Sequence, residues 1–258
     1  MIQFQESATS HERVEDGTAI TVRGLRKSYR VGDGSVEILH GVSLTIGFGE
    51  MVAIMGASGS GKSTLLYCLA GLEPPSDGEV RLLGRDVART SRTELAVMRR
   101  TEVGFVFQAY NLIPTLTAFE NVSLPYLLRR EKAPADLIRS TLGTVGLAER
   151  LDARPPSMSG GEQQRVALAR VLAQGPRLIF ADEPTGALDT TTGDLVLDEL
   201  VRIAHVPGRC VLMVTHDPKI AARSDRVLFM RDGLLVDELV GAPVERVAAV
   251  LSGLSLGE

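Results

Sequence analysis

Cysteine is scarce in this chain: Cys68 and Cys210 are the only two in 258 residues, and both stand in apolar surroundings. Without clustered His, Asp or Glu partners they exclude a zinc-type site. Reduced, buried thiols of a cytosolic protein are the expectation. No apolar run approaches the ~18 residues that a bilayer-crossing helix needs. The opening stretch MIQFQESATSHERVEDG has neither a basic head nor an apolar middle, so it does not read as a secretory leader. It reads instead as a polar, flexible tail over residues 1–17. Positive charge is in slight deficit, with 28 bases against 32 acids, which gives no support for general nucleic-acid binding. Lysine is rarer still, at four against twenty-four arginines. There is no internal repeat and no low-complexity tract.

What is present is an ordinary globular mixture, 44% apolar and 23% charged, long enough for one large domain or a core with a subdomain. From Ile20 to Gly47 the pattern is strand-like and broken by turn residues. Short apolar strands then alternate with helical patterns: MVAIM before STLLYCLAGL, VGFVF after a helix over Ser91–Arg100, LIFAD before TGDLVLDELVRIA, and then CVLMVTH. Between Leu112 and Arg154 helical patterns with proline interruptions take over. RVLFMRDGLLVDEL reads as a hairpin turning at Asp232-Gly233, and PVERVAAVLSGL as a closing helix. Alternating strands and helices predict an α/β fold with a mainly parallel sheet covered on both faces. Four strands end in a distinctive group: the glycine loop, Gln108, the pair Asp182-Glu183, and His216. Ligands of open α/β sheets bind outside the carboxyl ends of strands, so one sheet edge is predicted to gather all four.

The stretch GASGSGKST fits G-x-x-x-x-G-K-[ST], with Gly56, Gly61, Lys62 and Ser63 in the fixed places. A chance match in a chain of this length is on the order of one in a hundred, and the strand-before, helix-after context lowers that further. The loop Gly56, Ala57, Ser58, Gly59, Ser60, Gly61 turns backbone N–H groups inward as an anion cradle, and the next helix adds its positive end. Lys62 supplies a compact charge for β- and γ-phosphates and Ser63 a hydroxyl for Mg²⁺, with Thr64 beside them as a further nucleotide contact. Asp182, at the end of an apolar strand, suits Mg²⁺ through water. Glu183 beside it suits a base for the attacking water. A solvated strand end is the alternative for that pair, and the upstream phosphate loop decides against it.

SMSGGEQQRVALAR places two glycines at the mouth of a helix, with Ser159 and Glu162 spaced as a capping box. Such glycines let an outside group approach bare N–H groups.

In this order, GASGSGKST, Gln108, MSGGEQQR, LIFADEP, GALD and His216 resemble the ATP-binding cassette family, the motor subunits of ABC transporters, over roughly Ile20 to Leu239. The resemblance implies a P-loop, RecA-like core with a parallel sheet, an antiparallel β subdomain and an inserted helical subdomain at about 110–160. It implies a cassette domain over 18–240 and a C-terminal helical tail over 241–258. The implied reaction is ATP hydrolysis with Mg²⁺. Glu183 is the implied base, His216 the γ-phosphate contact, Gln108 a metal contact and link to a membrane partner, and Tyr29 the aromatic that stacks on adenine. Asp189, in GALD, joins the nucleotide contacts. Ser159, Gly160, Gly161 and Glu162 are implied to meet the ATP of a second subunit in a head-to-tail dimer. The one departure is Met158 where the motif begins with Leu, a small change for an adaptable apolar side chain.

FQAYNLIPTLTAFENVSLP and DEPTGALD look like the subgroup of lipoprotein-releasing, macrolide-export and cell-division ATPases. That implies a separately encoded integral-membrane subunit and a place at the inner face of the cell membrane. Tyr110, Leu112, Ile113 and Leu116 are candidates for lining its docking groove, with subdomain core as the alternative. The competing function is a soluble cassette ATPase acting on nucleic acid or ribosomes. It predicts a basic face, zinc cysteines, a long coiled coil or two cassettes, and none of these stands in the sequence.

Overall fold

The computed structural model describes residues 17–107, 109–186 and 188–255. The reading of 1–17 as a flexible tail therefore lies, all but Gly17, outside the described residues, as does Gln108.

Two sheets organise the chain. The first is antiparallel, built from β1 (Thr18–Val31), β2 (Gly34–Gly47), β4 (Asp77–Leu82) and β5 (Arg85–Asp86) in the order β2-β1-β4-β5. The second holds β3 (Met51–Gly56), β6 (Val103–Val106), β7 (Leu178–Asp182), β8 (Cys210–Val214), β9 (Arg226–Arg231) and β10 (Leu234–Val240), in the order β10-β9-β3-β8-β7-β6. Five of these strands run parallel, and β10 pairs antiparallel with β9 at the edge. The hairpin turns at Asp232 (φ 49°) and Gly233 (φ 73°), the two left-handed residues that a tight two-residue connection requires.

The period-two geometry of strands sorts the core into two layers. Met51, Ala53, Val211, Met213, Ile179 and Ala181 face one layer. Their neighbours Val52, Ile54, Cys210, Leu212, Leu178 and Phe180 face the other, shared with the antiparallel sheet and α1 (Lys62–Leu69). Both cysteines lie in this second layer, fully buried, and burial pushes the Cys68 thiol up to about 11 and that of Cys210 to about 12. Phe180 is also fully buried, with its ring stacked 5.6 Å from that of Phe105. Phe180→Ala is expected to cost about 3–5 kcal/mol, read as a lowered urea midpoint with an unchanged slope.

Helices α2 (Arg92–Thr101) and α7 (Pro218–Ala221) precede β6 and β9, and those between β6 and β7 are α3 (Ala118–Leu128), α4 (Ala135–Thr144) and α5 (Gly160–Gln174). Capping boxes start α3 at Thr117/Glu120 and α5 at Ser159/Glu162. Pro125 sits inside α3 rather than ending it. Its side chain is buried, so packing outweighs the lost backbone bond. Ala118, Val122, Ile138 and Leu142 join the same cluster as Met51 and Val211, so the inserted helices share the core of the parallel sheet. α8 (Val244–Ser255) packs on β3 and β9 and buries Val247 completely. Most of the C-terminal segment is thus part of the folded body. Among the described residues no helix is long and apolar enough to cross a membrane.

Candidate nucleotide site

A cavity of about 580 Å³ opens at the carboxyl edge of the parallel sheet. Its walls include Ser58, Gly59, Gly61, Lys62, Ser63 and Thr64 from the glycine loop, together with Tyr29, Asp182, Glu183 and His216. Three strand ends expected at one edge are therefore brought together.

The loop is a local product of its sequence, supported from behind. Gly61 caps α1 in the left-handed conformation (φ 98°), which is strained for a residue with a side chain. Gly56 is required by crowding: a Cβ there would lie 2.1 Å from the carbonyl oxygen of Met230 on β9. The β9–β10 turn also holds the loop, with Gly233 N–H donating to the Ser60 carbonyl (3.1 Å). Gly56, Ala57 and Ser60 thus brace the loop rather than line the cavity. The Lys62 ammonium donates to the Gly56 carbonyl at 2.9 Å and the Ala57 carbonyl at 2.7 Å, using two of its three donors. Burial holds it below the usual lysine range, opposed by the carboxylates of Glu183 and Asp182.

Asp182 ends β7 with 5% of its surface exposed. Its Oδ1 lies 3.4 Å from Ser63 Oγ, and its Oδ2 accepts the Tyr67 hydroxyl at 3.0 Å. Burial, followed by the charge of Asp182, pushes the Tyr67 phenol up to about 12, so it is a donor at neutral pH. Ser63 and Asp182 supply hard oxygen donors beside an anion cradle, the chemistry of Mg²⁺ carried with phosphates. Among the described residues there is no cluster of three His, Cys, Asp or Glu that could hold a metal alone. A cation here needs phosphate oxygens to complete its shell.

Glu183 leaves the strand with φ 48°, a conformation that costs about 1–3 kcal/mol in a residue with a side chain. Its N–H is held by the Val214 carbonyl (3.0 Å), and its Oε1 accepts from His216 Nδ1 at 2.8 Å. A carboxylate only accepts, so Nδ1 carries the proton and Nε2 faces away from Glu183. Backbone strain and the ring together aim the Glu183 carboxylate.

Tyr29 lines the far side of the cavity. Its hydroxyl donates to Glu73, and the Lys27 ammonium sits 4.7 Å from its ring centroid. Burial, then Glu73, push its phenol up to about 12.

Ser159, Gly160, Gly161 and Glu162 do not line this cavity. Ser159 Oγ accepts the Glu162 N–H (3.2 Å), and Glu162 returns its carboxylate to the Ser159 N–H (2.8 Å). Arg150 grips the same carboxylate at 2.9 Å and 3.3 Å. The hydrogen bond from Ser159, then Arg150, hold that carboxyl below its usual range. A Cβ on Gly160 would stand 2.8 Å from the Tyr110 hydroxyl, so the end of that side chain would have to shift to admit one. Asp189 also stays clear of the cavity and caps α6 (Thr190–Ala204), accepting from Thr192 N–H at 3.0 Å.

Of the docking-groove candidates, Leu112 packs against the core and Ile113 is exposed. A separate groove of about 270 Å³ lies nearby, lined by Phe105, Phe107, Leu124, Pro125, Leu128 and Arg170 among others. The sequence reading missed these residues, and it missed Tyr67, Arg150 and Ile38, which also lines the larger cavity. Tyr67 alone left a signal, standing one helical turn after Ser63.

The family model for the ABC transporter matches residues 39–186, more than half of the chain. The chain belongs to the ABC transporter family. The cassette is 50% identical over 221 residues to the macrolide export ATP-binding/permease protein MacB of Chlorobaculum tepidum, covering 85% of this chain and 34% of that protein. It is 46% identical over 239 residues to MacB of Brucella melitensis, covering 90% and 36%. It thus spans about a third of the length of the curated relatives it matches. Among solved structures it superposes on the ATP-binding cassette MJ0796, a dimer in a post-hydrolysis state bound to ADP and Pi. That match has a TM-score of 0.82 and 37% identity, covering 87% of this chain and 99% of the other. CbiO1 of Clostridium perfringens, part of an ABC transporter complex, matches with a TM-score of 0.76 and 27% identity over 94% and 96%. The fold is that of a P-loop ATPase cassette, and its chemistry is the binding and hydrolysis of ATP.

Proposed function

We propose that two copies of this cassette close head to tail on two MgATP and that the stroke drives a membrane-embedded partner. One observation carries the reading: the cavity holds a phosphate loop, a base and a strand-end carboxylate, yet the helix mouth at Ser159–Gly161 contributes nothing to it. A second copy brings that mouth to the γ-phosphate. Ser159 Oγ already accepts from Glu162, so its own proton remains to be donated.

Within each site the residues have separate tasks. Tyr29 offers a ring face to adenine. The loop amides and Lys62 hold the β- and γ-phosphates. Ser63 and Asp182 hold Mg²⁺, with Gln108 as a further candidate, and the ion neutralises charge on the phosphates when bound. Glu183 takes a proton from water as the water oxygen bonds to the γ-phosphorus and the bond to the bridging oxygen breaks, releasing ADP. His216 orients Glu183 through Nδ1 and meets the γ-phosphate with its other face.

Shifting a dimer from 1:99 open to 99:1 closed takes about 5.5 kcal/mol of differential binding. Two sites share this, and two or three hydrogen bonds to charged oxygens at about 1.5–3 kcal/mol each supply it. Cleavage removes them and the pair reopens.

The membrane partner is supported by relatives named as macrolide export ATP-binding/permease proteins. The apolar groove beside Phe105 and Leu124 suits a helix of that partner. Action on nucleic acid or ribosomes is less well supported, given the net charge of −4 and the relatives' names.

Cross-linking tests the dimer. Both native thiols are buried, so Ser58→Cys and Ser159→Cys chains can be mixed and oxidised without competing disulfides. A covalent dimer is expected with ATP and not without it. Absence of an ATP-dependent product sinks the head-to-tail reading. Separately, Lys62→Ala is expected to weaken ATP binding by at least about tenfold, in keeping with ~1.5–3 kcal/mol for a charged hydrogen bond. Equilibrium dialysis with ATP reads the change, and an unaltered affinity removes Lys62 from the cradle.

A further inference from the structure

The loop serine and Tyr67 stand on one face of α1, four residues apart, and both address Asp182 from across the sheet. The two carboxylate oxygens are divided between them: Oδ1 lies at Ser63 Oγ (3.4 Å), and Oδ2 accepts the Tyr67 hydroxyl (3.0 Å). Tyr67 is itself anchored, since its carbonyl accepts the N–H groups of Leu72 (2.9 Å) and Glu73 (3.1 Å). Asp182 is nearly fully buried, so an Oδ2 without a partner is costly and the carboxylate would turn to find one. We propose that Tyr67 is a positioning residue for the Mg²⁺ of MgATP, holding Oδ2 of Asp182 so that Oδ1 stays on the Ser63 side. This rests on the reading of Ser63 and Asp182 as the metal-holding pair.

Mn²⁺ serves as the probe, its binding measured by paramagnetic resonance on the whole chain saturated with a non-hydrolysable ATP analogue. Tyr67→Phe keeps the ring and removes only the hydroxyl. It is expected to weaken Mn²⁺ binding by about tenfold, the low end for a residue that supports a metal ligand, while the affinity for the analogue in EDTA stays unchanged. Mn²⁺ binding within twofold of the parent overturns the proposal. So does an equal loss of affinity in EDTA, which would make Tyr67 a support for the cavity as a whole. Asp182→Asn separates the two readings. If it leaves Mn²⁺ binding intact, the metal-holding pair is wrong. If it abolishes binding while Tyr67→Phe does not weaken it, only the Tyr67 proposal falls.

Discussion

Glu183→Gln is expected to bind ATP normally and to release phosphate at under about one hundredth of the parent rate, since a positioned general base contributes 10²–10⁴-fold. The amide keeps the shape of the acid, and its carbonyl can still accept from His216 Nδ1, so the geometry seen at 2.8 Å survives. What is lost is the capacity to take a proton. The other carboxylate of the cavity does not replace it, since Asp182 is engaged by Tyr67 and Ser63, and Lys62 has no lone pair while protonated. Because the γ-phosphate then persists, the ATP-bound pair should accumulate, and light scattering with ATP should report twice the chain mass. A variant that turns over at the parent rate removes Glu183 from the chemistry.

Ser159→Arg is the second large effect. It should leave ATP binding by a single chain within about twofold, because the helix mouth lies outside that chain's own cavity. In the Glu183→Gln background it should abolish the ATP-dependent dimer, lowering association by more than about a hundredfold through lost γ-phosphate hydrogen bonds and a side chain that fills the mouth. Loss of the cap at Glu162 costs about 1 kcal/mol in addition, which a small fall in thermal midpoint will report without unfolding the chain. If the single chain loses ATP binding instead, the helix mouth serves its own site and the composite-site reading fails.

These outcomes depend on residues of unequal legibility. The phosphate loop was readable because an anion cradle is made by consecutive backbone groups, and residues 56–64 carry all of it. The capping box at Ser159 and the hairpin turn at Asp232-Gly233 were readable for the same reason: their hydrogen bonds or dihedrals span four residues or fewer. The pair Asp182-Glu183 was readable only in combination with the loop. The antiparallel edge strand β10 follows from that tight hairpin, whereas the mainly parallel order of the other five follows from alternating helices. Tyr67 against Asp182, Arg150 against Glu162, and the Met230 carbonyl against Gly56 were not readable. In each, a side chain or the absence of one is explained by a group brought near by folding.

The linear chain alone determined the family, the alternation of strands and helices, and the chemistry of the strand ends, because these reside in local periodicity and contiguous motifs. Tertiary structure alone decided which atoms meet. It gave Asp182 two partners from one helix face and turned Glu183 toward His216 through a left-handed residue. It also set the Pro184 carbonyl against Gln164 of α5 at 2.8 Å, tying the loop after Glu183 to the helix that begins at Ser159. Hydrogen bonds reach about 3 Å, whereas these partners stand 20 to 119 residues apart along the chain, so only a completed fold brings them within range.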